Sequence, residues 1–419
     1  MTTTATRATL APRLLTDGDW PEFLAMVSAA FLSDPGADPL AAERSRAVLE
    51  PGRTLGVFDD TRLLGGGGIL TREMTLPGSG PSPVAAVSHV GVRPDARGRG
   101  ALTALIRAQL TGLHESGGEP VAALWASMAP IYGRFGYGPA SRRGELCVPA
   151  RAPFREGSPA GGTVRWLDEA GAAEPVRAIH RGLAGSRVGW VSRPEVSWRW
   201  WLADPESGRG GSTAYRYALH RPRGGGEPDG YAVFRLKPNW PAAGPDFEVD
   251  IHELVAANPE AYAGLWRSLL DLDMVGRVRY GNVALDDPIP QLLVNARALL
   301  TDVGDALWVR LVDLDRALTA RRYAAGCDLV LAVTDRFCPW NEGHWRLRAG
   351  ADGTAEVART EAEADLACDT TDLASAYLGG IRLSSLAAAG RVRELRPGAV
   401  LAASRAMAGD AEPYCLDVF

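Results

Sequence analysis

The sequence predicts a mixed α/β chain of three domains, in which one strand–helix unit occurs twice and a smaller α/β unit follows. Three observations lead there. At 419 residues the chain exceeds one ordinary core, since domains run to roughly 100–200 residues. The stretch "VGVRPDARGRGALTALI", residues 90–106, passes from β-branched alternation through Pro94 and a run of arginines and glycines into apolar residues at helical spacing. The same order of strand, proline and helix returns in "FEVDIHELVAANPEAYAGLWRSLLDL", with Pro259 in the place of Pro94 but without the arginine/glycine turn. A fixed order met twice reads as a duplicated unit whose second copy has lost that turn.

Taken in order, Thr16 or Asp17 can cap a first helix whose apolar residues Trp20, Phe23, Leu24, Val27 and Phe31 fall three or four apart. "RTLGVFDDTRLLGGGGILTREMTLPG" reads as two strands around the Asp59–Asp60 turn, with Gly65–Gly68 a bulge or a place of close approach to the backbone. "PVAAVSHVGV" is a strand ending at Pro94, and Leu102, Leu105, Ile106, Leu110 and Leu113 mark a helix. "PVAALWAS" is a further strand before the aromatic-glycine turn "IYGRFGYGP". The Pro/Gly-rich "PAGGT" closes the first unit, so domain one covers 1–155 and the repeat 156–285. In "SWRWWLAD", Trp198, Trp200 and Trp201 at helical spacing are expected in a core or an inter-subunit contact. From residue 307, "LWVRLVDLDRAL" is a strand leading into a helix capped by Asp313 or Asp315, and further strands and helices fill a third domain to Phe419.

A composition of 46% hydrophobic and 23% charged residues is that of a globular protein. The net charge of −5 supplies no basic field for nucleic acid, which is not expected as a partner. The five cysteines are scattered and never spaced CxxC, so no zinc or other metal site and no disulfide framework is expected. No stretch approaches the ~20 apolar residues of a membrane span, and "MTTTATRATLAPRLL" lacks a signal-peptide core. The expectation is a cytoplasmic protein that does not bind membranes.

The arginine/glycine turn explains itself chemically. At a strand–turn–helix junction, successive backbone N–H groups and the helix dipole converge on one spot, and glycines let a diphosphate come close. Arg97 and Arg99 add charge-assisted bonds. The turn is neither a Walker A loop nor a dinucleotide fingerprint. With Arg97, Gly98, Arg99, Gly100, Ala101 and Leu102 in the positions of Q/R-x-x-G-x-G/A, it resembles the acetyl-CoA signature of the GNAT N-acetyltransferase superfamily, Leu102 departing from the usual final Gly or Ala. Together with "IYGRFGYGP", nearly the whole chain resembles the enhanced intracellular survival (Eis) family of aminoglycoside and lysine N-acetyltransferases. That resemblance implies tandem GNAT folds, the first active and the second degenerate, followed by a sterol-carrier-protein-like α/β domain over 307–419. It also places 286–306 against domain one and implies a homohexamer.

By the same resemblance, acetyl-CoA is the co-substrate, the backbone of Val90 and Val92 pairs with its pantetheine arm, and Ser127 contacts that arm. Tyr132 is the implied general acid, with Tyr137 five residues on as the competing candidate. The implied base is the terminal carboxylate of Phe419, with His89 as the alternative read from the residues alone. Asp34, Asp38 and Asp417 could form an acidic mouth for a cationic amine, an aminoglycoside or polyamine, or for a lysine side chain. Trp125 stands where the family has a histidine and Val418 where it has an acidic residue, which implies a reshaped acceptor pocket. A lipid carrier, from the third domain, and a non-catalytic acetyl-CoA-binding regulator are the alternative functions.

Overall fold

A computed structural model of the chain describes residues 10–34, 38–60 and 62–419, Leu300 by its backbone alone. The first unit runs β1 (Ala11–Leu14), α1 (Trp20–Ala30), α2 (Ala41–Val48), β2 (Thr54–Asp59), β3 (Arg62–Leu76), β4 (Gly80–Val92), α3 (Ala101–Ser116), β5 (Val121–Trp125), α4 (Ala129–Tyr132) and β6 (Gly138–Pro139). Its strands β1 to β4 form an antiparallel meander, and β5 lies parallel to β4 across the α3 crossover. A capping box between Thr16 and Asp19 starts the turn that leads into α1. The run Gly65–Gly68 is where α1 meets β3. A Cβ on Gly66 would stand 2.5 Å from the Leu55 carbonyl and 2.9 Å from the Phe23 ring, so only glycine lets the buried Phe23 lie flat on the sheet.

The second unit runs β7 (Arg142–Pro149), β8 (Thr163–Leu167), α5 (Glu169–Leu183), α6 (Glu195–Trp201), β9 (Arg216–Arg221), β10 (Gly230–Lys237), β11 (Phe247–Ala256), α7 (Pro259–Leu270), β12 (Val275–Val283), α8 (Ile289–Leu292) and β13 (Leu300–Asp305). Here β11 and β12 are parallel across α7, the counterpart of β4 and β5 across α3. The third unit has α9 (Leu314–Ala320), β15 (Cys327–Thr334), β16 (Gly343–Ala349), β17 (Ala355–Arg359), β18 (Leu366–Asp369), α10 (Thr370–Ala376), α11 (Leu383–Ala388), β19 (Val392–Glu394) and α12 (Ala399–Ala406), around a five-stranded sheet.

The sheets cut across the limits drawn from sequence. One strand, β14 (Leu307–Leu311), lies between β5 and β6 of the first sheet rather than in the third domain. Conversely β7, read as the end of domain one, sits between β12 and β13 in the second sheet. Residues 286–306 pack against residues 142–155, which the sequence puts at the end of domain one: β13 pairs with β7 and Leu293 bridges to Phe154, and these pieces together belong to the core and sheet of the second unit. The returning segment is β14, whose residues "LWVRL" are all buried; a strand covered on both faces needs a central position in a sheet. Behind it, one core runs from Val84, Val121 and Val309 into Leu331, Leu373 and Tyr377 of the third unit. Arg310 of β14 and Asp335 form a fully buried ion pair at 2.6 Å.

The last residues of the chain thread between the first two units. Tyr414 bonds through its amide to the Val188 carbonyl at 2.8 Å and through its hydroxyl to the Asn282 carbonyl at 2.7 Å. The Trp125 indole N–H donates to the Asp417 carbonyl at 2.8 Å. The Asp417 carboxylate accepts from Arg193 at 2.5 Å, and the same guanidinium grips Glu253 at 2.7 and 3.2 Å. Arg193 lies 4.4 Å from the rings of both Trp198 and Trp201, which close it off from water. Burial opposes the charge on Asp417, but Arg193 and His180 outweigh it and hold its pKa below the ordinary carboxylate value.

Removing Arg193 would leave Asp417 and Glu253 buried without a counter-charge. The Arg193→Met variant is therefore expected to lose ~3–5 kcal/mol of stability by scanning calorimetry. Because the folded pKa of Asp417 is depressed, its contribution is fully present above the unfolded carboxyl pKa of about 4 and is lost as pH falls through the folded value. The gap in unfolding temperature between wild type and Asp417→Asn should hold from about pH 5 upward and close in acid; a gap that widens in acid would contradict the network.

Candidate active site

The site begins where the first sheet opens. Parallel pairing of β4 with β5 is confined to Ala85–Ala122 and Ala86–Ala123, and beyond these the strands part. At the same point β4 bulges against β3: Gly68 pairs with Ser88 and Gly66 with Gly91, so His89 and Val90 together face Gly67. His89 carries the turn of the bulge, with φ of 53° in the left-handed region. Such a bulge re-aims the strand end, and Val90 and Val92 line the opening.

Past Pro94 the chain reaches Gly98 and Gly100 at φ of 76° and 95°, conformations that glycine alone adopts without strain. Gly100 caps α3, and among the described residues no side chain caps the first amides of the helix. A Cβ at Gly98 or Gly100 would meet nothing within 4 Å, so the space before these amides is open. The helix N-terminus and its dipole thus face a cleft of about 710 Å³. The second unit lacks this arrangement: at the start of α7 the Asn258 side chain accepts from the Ala261 amide, and Pro259 contributes no N–H. Its anion site is closed by its own cap.

Of the expected cofactor residues, Val90, Val92, Arg97, Gly98, Gly100, Ala101, Leu102 and Ser127 line the cleft. Arg99 does not; its guanidinium is ion-paired with Asp59 at the end of β2, where it ties the turn to the sheet instead of reaching for an anion. Tyr132 ends α4 and lines the same cleft. Among the described residues no hydrogen bond engages its hydroxyl, and burial raises its pKa above the ordinary phenol value. Tyr137 stands 6.0 Å away ring to ring, edge on. It is wholly buried, its hydroxyl has no partner among the described residues, and burial raises its pKa far more strongly. Of the two tyrosines, Tyr132 is the one within reach of a ligand.

Phe419 lies elsewhere along β4. It lines a small cavity of about 50 Å³ with Ser88, His89, Arg72, Trp200 and Asp417, and its ring packs on the core around Leu70. Among the described residues its carboxylate forms no ion pair. His89 bonds Ser88 at 2.8 Å, and burial pulls its pKa down to about 4, which leaves it neutral at ordinary pH. Tyr132 and Phe419 thus border different cavities on either side of the bulge.

The expected acidic mouth does not form. Asp417 is buried on Arg193, Asp38 is paired with Arg44, and Asp34 stands exposed beyond α1, on neither cavity wall. Trp125 holds the tail through the Asp417 carbonyl and lines neither cavity. Arg72, Arg193 and Trp200 carry no mark of a site residue in the sequence; "SWRWW" is the one signal near them. Among the described residues no group of three or more His, Cys, Asp and Glu is placed to hold a metal ion.

The acetyltransferase (GNAT) domain family matches residues 11–140, a second acetyltransferase (GNAT) domain family matches 189–315, and the sterol carrier protein domain family matches 314–416. An uncharacterized N-acetyltransferase of Streptomyces avermitilis is 38% identical over 96% of this chain and 98% of its own. N-acetyltransferase Eis of Mycobacterium tuberculosis is 34% identical over 90% of this chain and 92% of its own. Among solved structures, Eis1 from Mycobacterium abscessus superposes with a TM-score of 0.83 at 33% identity, covering 97% of this chain and all of that one. A GCN5-related N-acetyltransferase from Anabaena variabilis shares the fold, with a TM-score of 0.82 at 20% identity over 98% of this chain and 100% of its own. By kinship along nine-tenths of its length, and by a fold that repeats the acetyltransferase unit before a sterol-carrier-type domain, the chain belongs to the Eis family of GNAT N-acetyltransferases.

Proposed function

We propose that this N-acetyltransferase moves the acetyl group of acetyl-CoA directly onto a primary amine, with Tyr132 as general acid and the Phe419 carboxylate as general base. The observation that carries the reading is a single cleft that joins an uncapped, glycine-lined helix N-terminus to the unengaged hydroxyl of Tyr132. Acetyl-CoA supplies the thioester, and the amides of Ala101 and Leu102, with Arg97, are suited to its diphosphate. The parted edge of β4 from Val90 to Val92 offers backbone groups to an extended arm.

In this reading the neutral amine attacks the thioester carbonyl, the C–S bond breaks, and the Tyr132 hydroxyl gives its proton to the leaving thiolate. The proton lost by the amine passes through water to the Phe419 carboxylate, which borders the cavity on the other side of the bulge from the cleft of Tyr132. A raised phenol pKa keeps Tyr132 protonated when its proton is needed. The α-carboxylate, with an ordinary pKa near 3.5, is ionised and ready to accept. His89 is neutral and borders the same cavity, but burial pulls its pKa down to about 4, so it offers little more basicity than the carboxylate. Lipid carriage is disfavoured by the third unit, whose interior is filled by residues such as Leu329, Leu373, Tyr377 and Met407. A groove on its surface carries Asp369, Asp372, His344 and Arg391 among smaller apolar residues such as Ala332, Val333 and Ala367. We take the working form to be a cytoplasmic homohexamer, which sedimentation of the purified protein would test.

Coenzyme A release with acetyl-CoA and a panel of primary amines tests the chemistry. Tyr132→Phe and a variant lacking Phe419 are each expected to lower kcat by ~10²-fold or more; wild-type rates in both would remove the proposed roles. Since burial raises the Tyr132 pKa, kcat/KM should climb with pH as the amine loses its proton and should show no descending limb below about pH 10. A fall centred between pH 7 and 9 would point to another acid.

A further inference from the structure

Tyr132, read above as the general acid, ends a helix of four residues, and among the described residues no hydrogen bond holds its hydroxyl. The aim of the phenol therefore depends on the turn that follows. That turn is bonded locally, the Gly136 amide donating to the Gly133 carbonyl at 3.0 Å, and among the described residues no backbone hydrogen bond ties residues 133–136 to a neighbouring strand. Its shape comes from what lies behind it.

Behind it stands the third unit, joined by β14. The Phe135 ring meets Phe337 edge on at 5.0 Å, and both are buried. The Arg310 guanidinium lies against Gly136: a Cβ there would stand 2.3 Å from Nη1 and 2.6 Å from Cζ, and the φ of 82° already calls for glycine. A Cβ on Gly138 would stand 2.2 Å from the Thr371 carbonyl and 2.4 Å from the Ser375 hydroxyl, so α10 closes on the turn as well. This wall is itself braced. Asp335, two residues before Phe337, accepts from Arg310 at 2.6 Å, from the Cys338 amide at 2.9 Å and from the Asn341 side chain at 3.0 Å. Asn341 also donates to the Val312 carbonyl at 3.0 Å, just past β14.

Phe337 reaches the cofactor side too. Arg107 of α3 lies 4.3 Å over its ring and donates to its carbonyl at 3.2 Å. One residue thus touches both the helix whose N-terminus faces the cleft and the turn that carries Tyr132. We infer that Phe337, backed by Arg310, is a positioning residue for acetyl transfer, through which the third unit sets the phenol of Tyr132 against the thioester that α3 anchors. The inference rests on Tyr132 being the acid. A displaced donor loses rate while the cofactor still binds, because its bond to the leaving sulfur is needed only in the transition state.

The test is a cycle with Tyr132→Phe in the full-length protein, read by coenzyme A release with the primary amine that wild type turns over fastest and by calorimetric binding of coenzyme A. Phe337→Leu, too short to meet both partners, is expected to lower kcat about tenfold, with the KM for acetyl-CoA and the Kd for coenzyme A within about twofold of wild type. In the Tyr132→Phe background the same substitution should lower kcat by less than about twofold, since the group it acts through is gone. Phe337→Met, which keeps the reach, should recover most of the rate. Gly136→Ala, which forces the turn off Arg310, should repeat the pattern of Phe337→Leu and takes its place in the cycle if that variant does not fold. A wild-type kcat in Phe337→Leu, or an equal fall in both backgrounds, overturns the inference and leaves the acid role of Tyr132 intact. A wild-type kcat in Tyr132→Phe, or no turnover of any amine despite coenzyme A binding, overturns both.

Discussion

The structure depends on one buried cation. Arg193 bridges Glu253, inside the second unit, and Asp417, two residues from the chain end, with both of its carboxylate partners and itself removed from water. Desolvating three charges is costly, and the arrangement persists because each is matched: Tyr231 donates to Glu253, His180 stands 3.8 Å from Asp417, and two indole rings cover the guanidinium. The consequence is positional. Without this clamp a chain end has little reason to stay ordered; with it, Phe419 is fixed against the first unit although it belongs to the third.

A second constraint is the return of one strand. The second sheet is built from the consecutive strands β7 to β13, but the first is not complete from a continuous piece of chain, because β14 comes back to fill the gap between β5 and β6. The three units therefore share cores, and the opening between β4 and β5 is held by a sheet whose sixth strand arrives from 182 residues after β5 ends, Leu307 against Trp125. A rigid frame of this kind suits a cleft that must keep a helix N-terminus, a bulged strand and a tyrosine in register. The duplicate unit shows what happens when the local chemistry is absent: its parallel strands and crossover helix survive, while Asn258 and Pro259 close the amides that Gly98 and Gly100 leave open.

Much of the cleft is legible in the amino-acid sequence. The turn at Arg97–Leu102 needs left-handed backbone at two positions, and glycine stands at both; that requirement is met within a few residues, so it can be read from them. The glycine run at 65–68 and the repeat around Pro259 are of the same kind. The role of Arg99 is not legible, because a guanidinium has a long reach and its choice between an anion in the cleft and Asp59 on the adjoining strand depends on the sheet. The acidic mouth fails for a similar reason: Asp417 and Asp38 look solvated in sequence, and their arginine partners are 224 and 6 residues away.

By itself, then, the sequence determined the local conformations: the strand–turn–helix with its glycines, the amphipathic helices, the duplicated unit and the aromatic turn. These follow from backbone sterics and side-chain periodicity, which act over one or two turns of chain. Only the tertiary structure decided that Tyr132 faces the cleft while Tyr137 is sealed in the core, that β14 returns to the first sheet while β7 starts the second, and that Arg193, Arg72 and Trp200 surround the chain end. Such outcomes rest on burial and on charge pairing between residues far apart in sequence, where many partners are chemically equivalent and packing alone selects one.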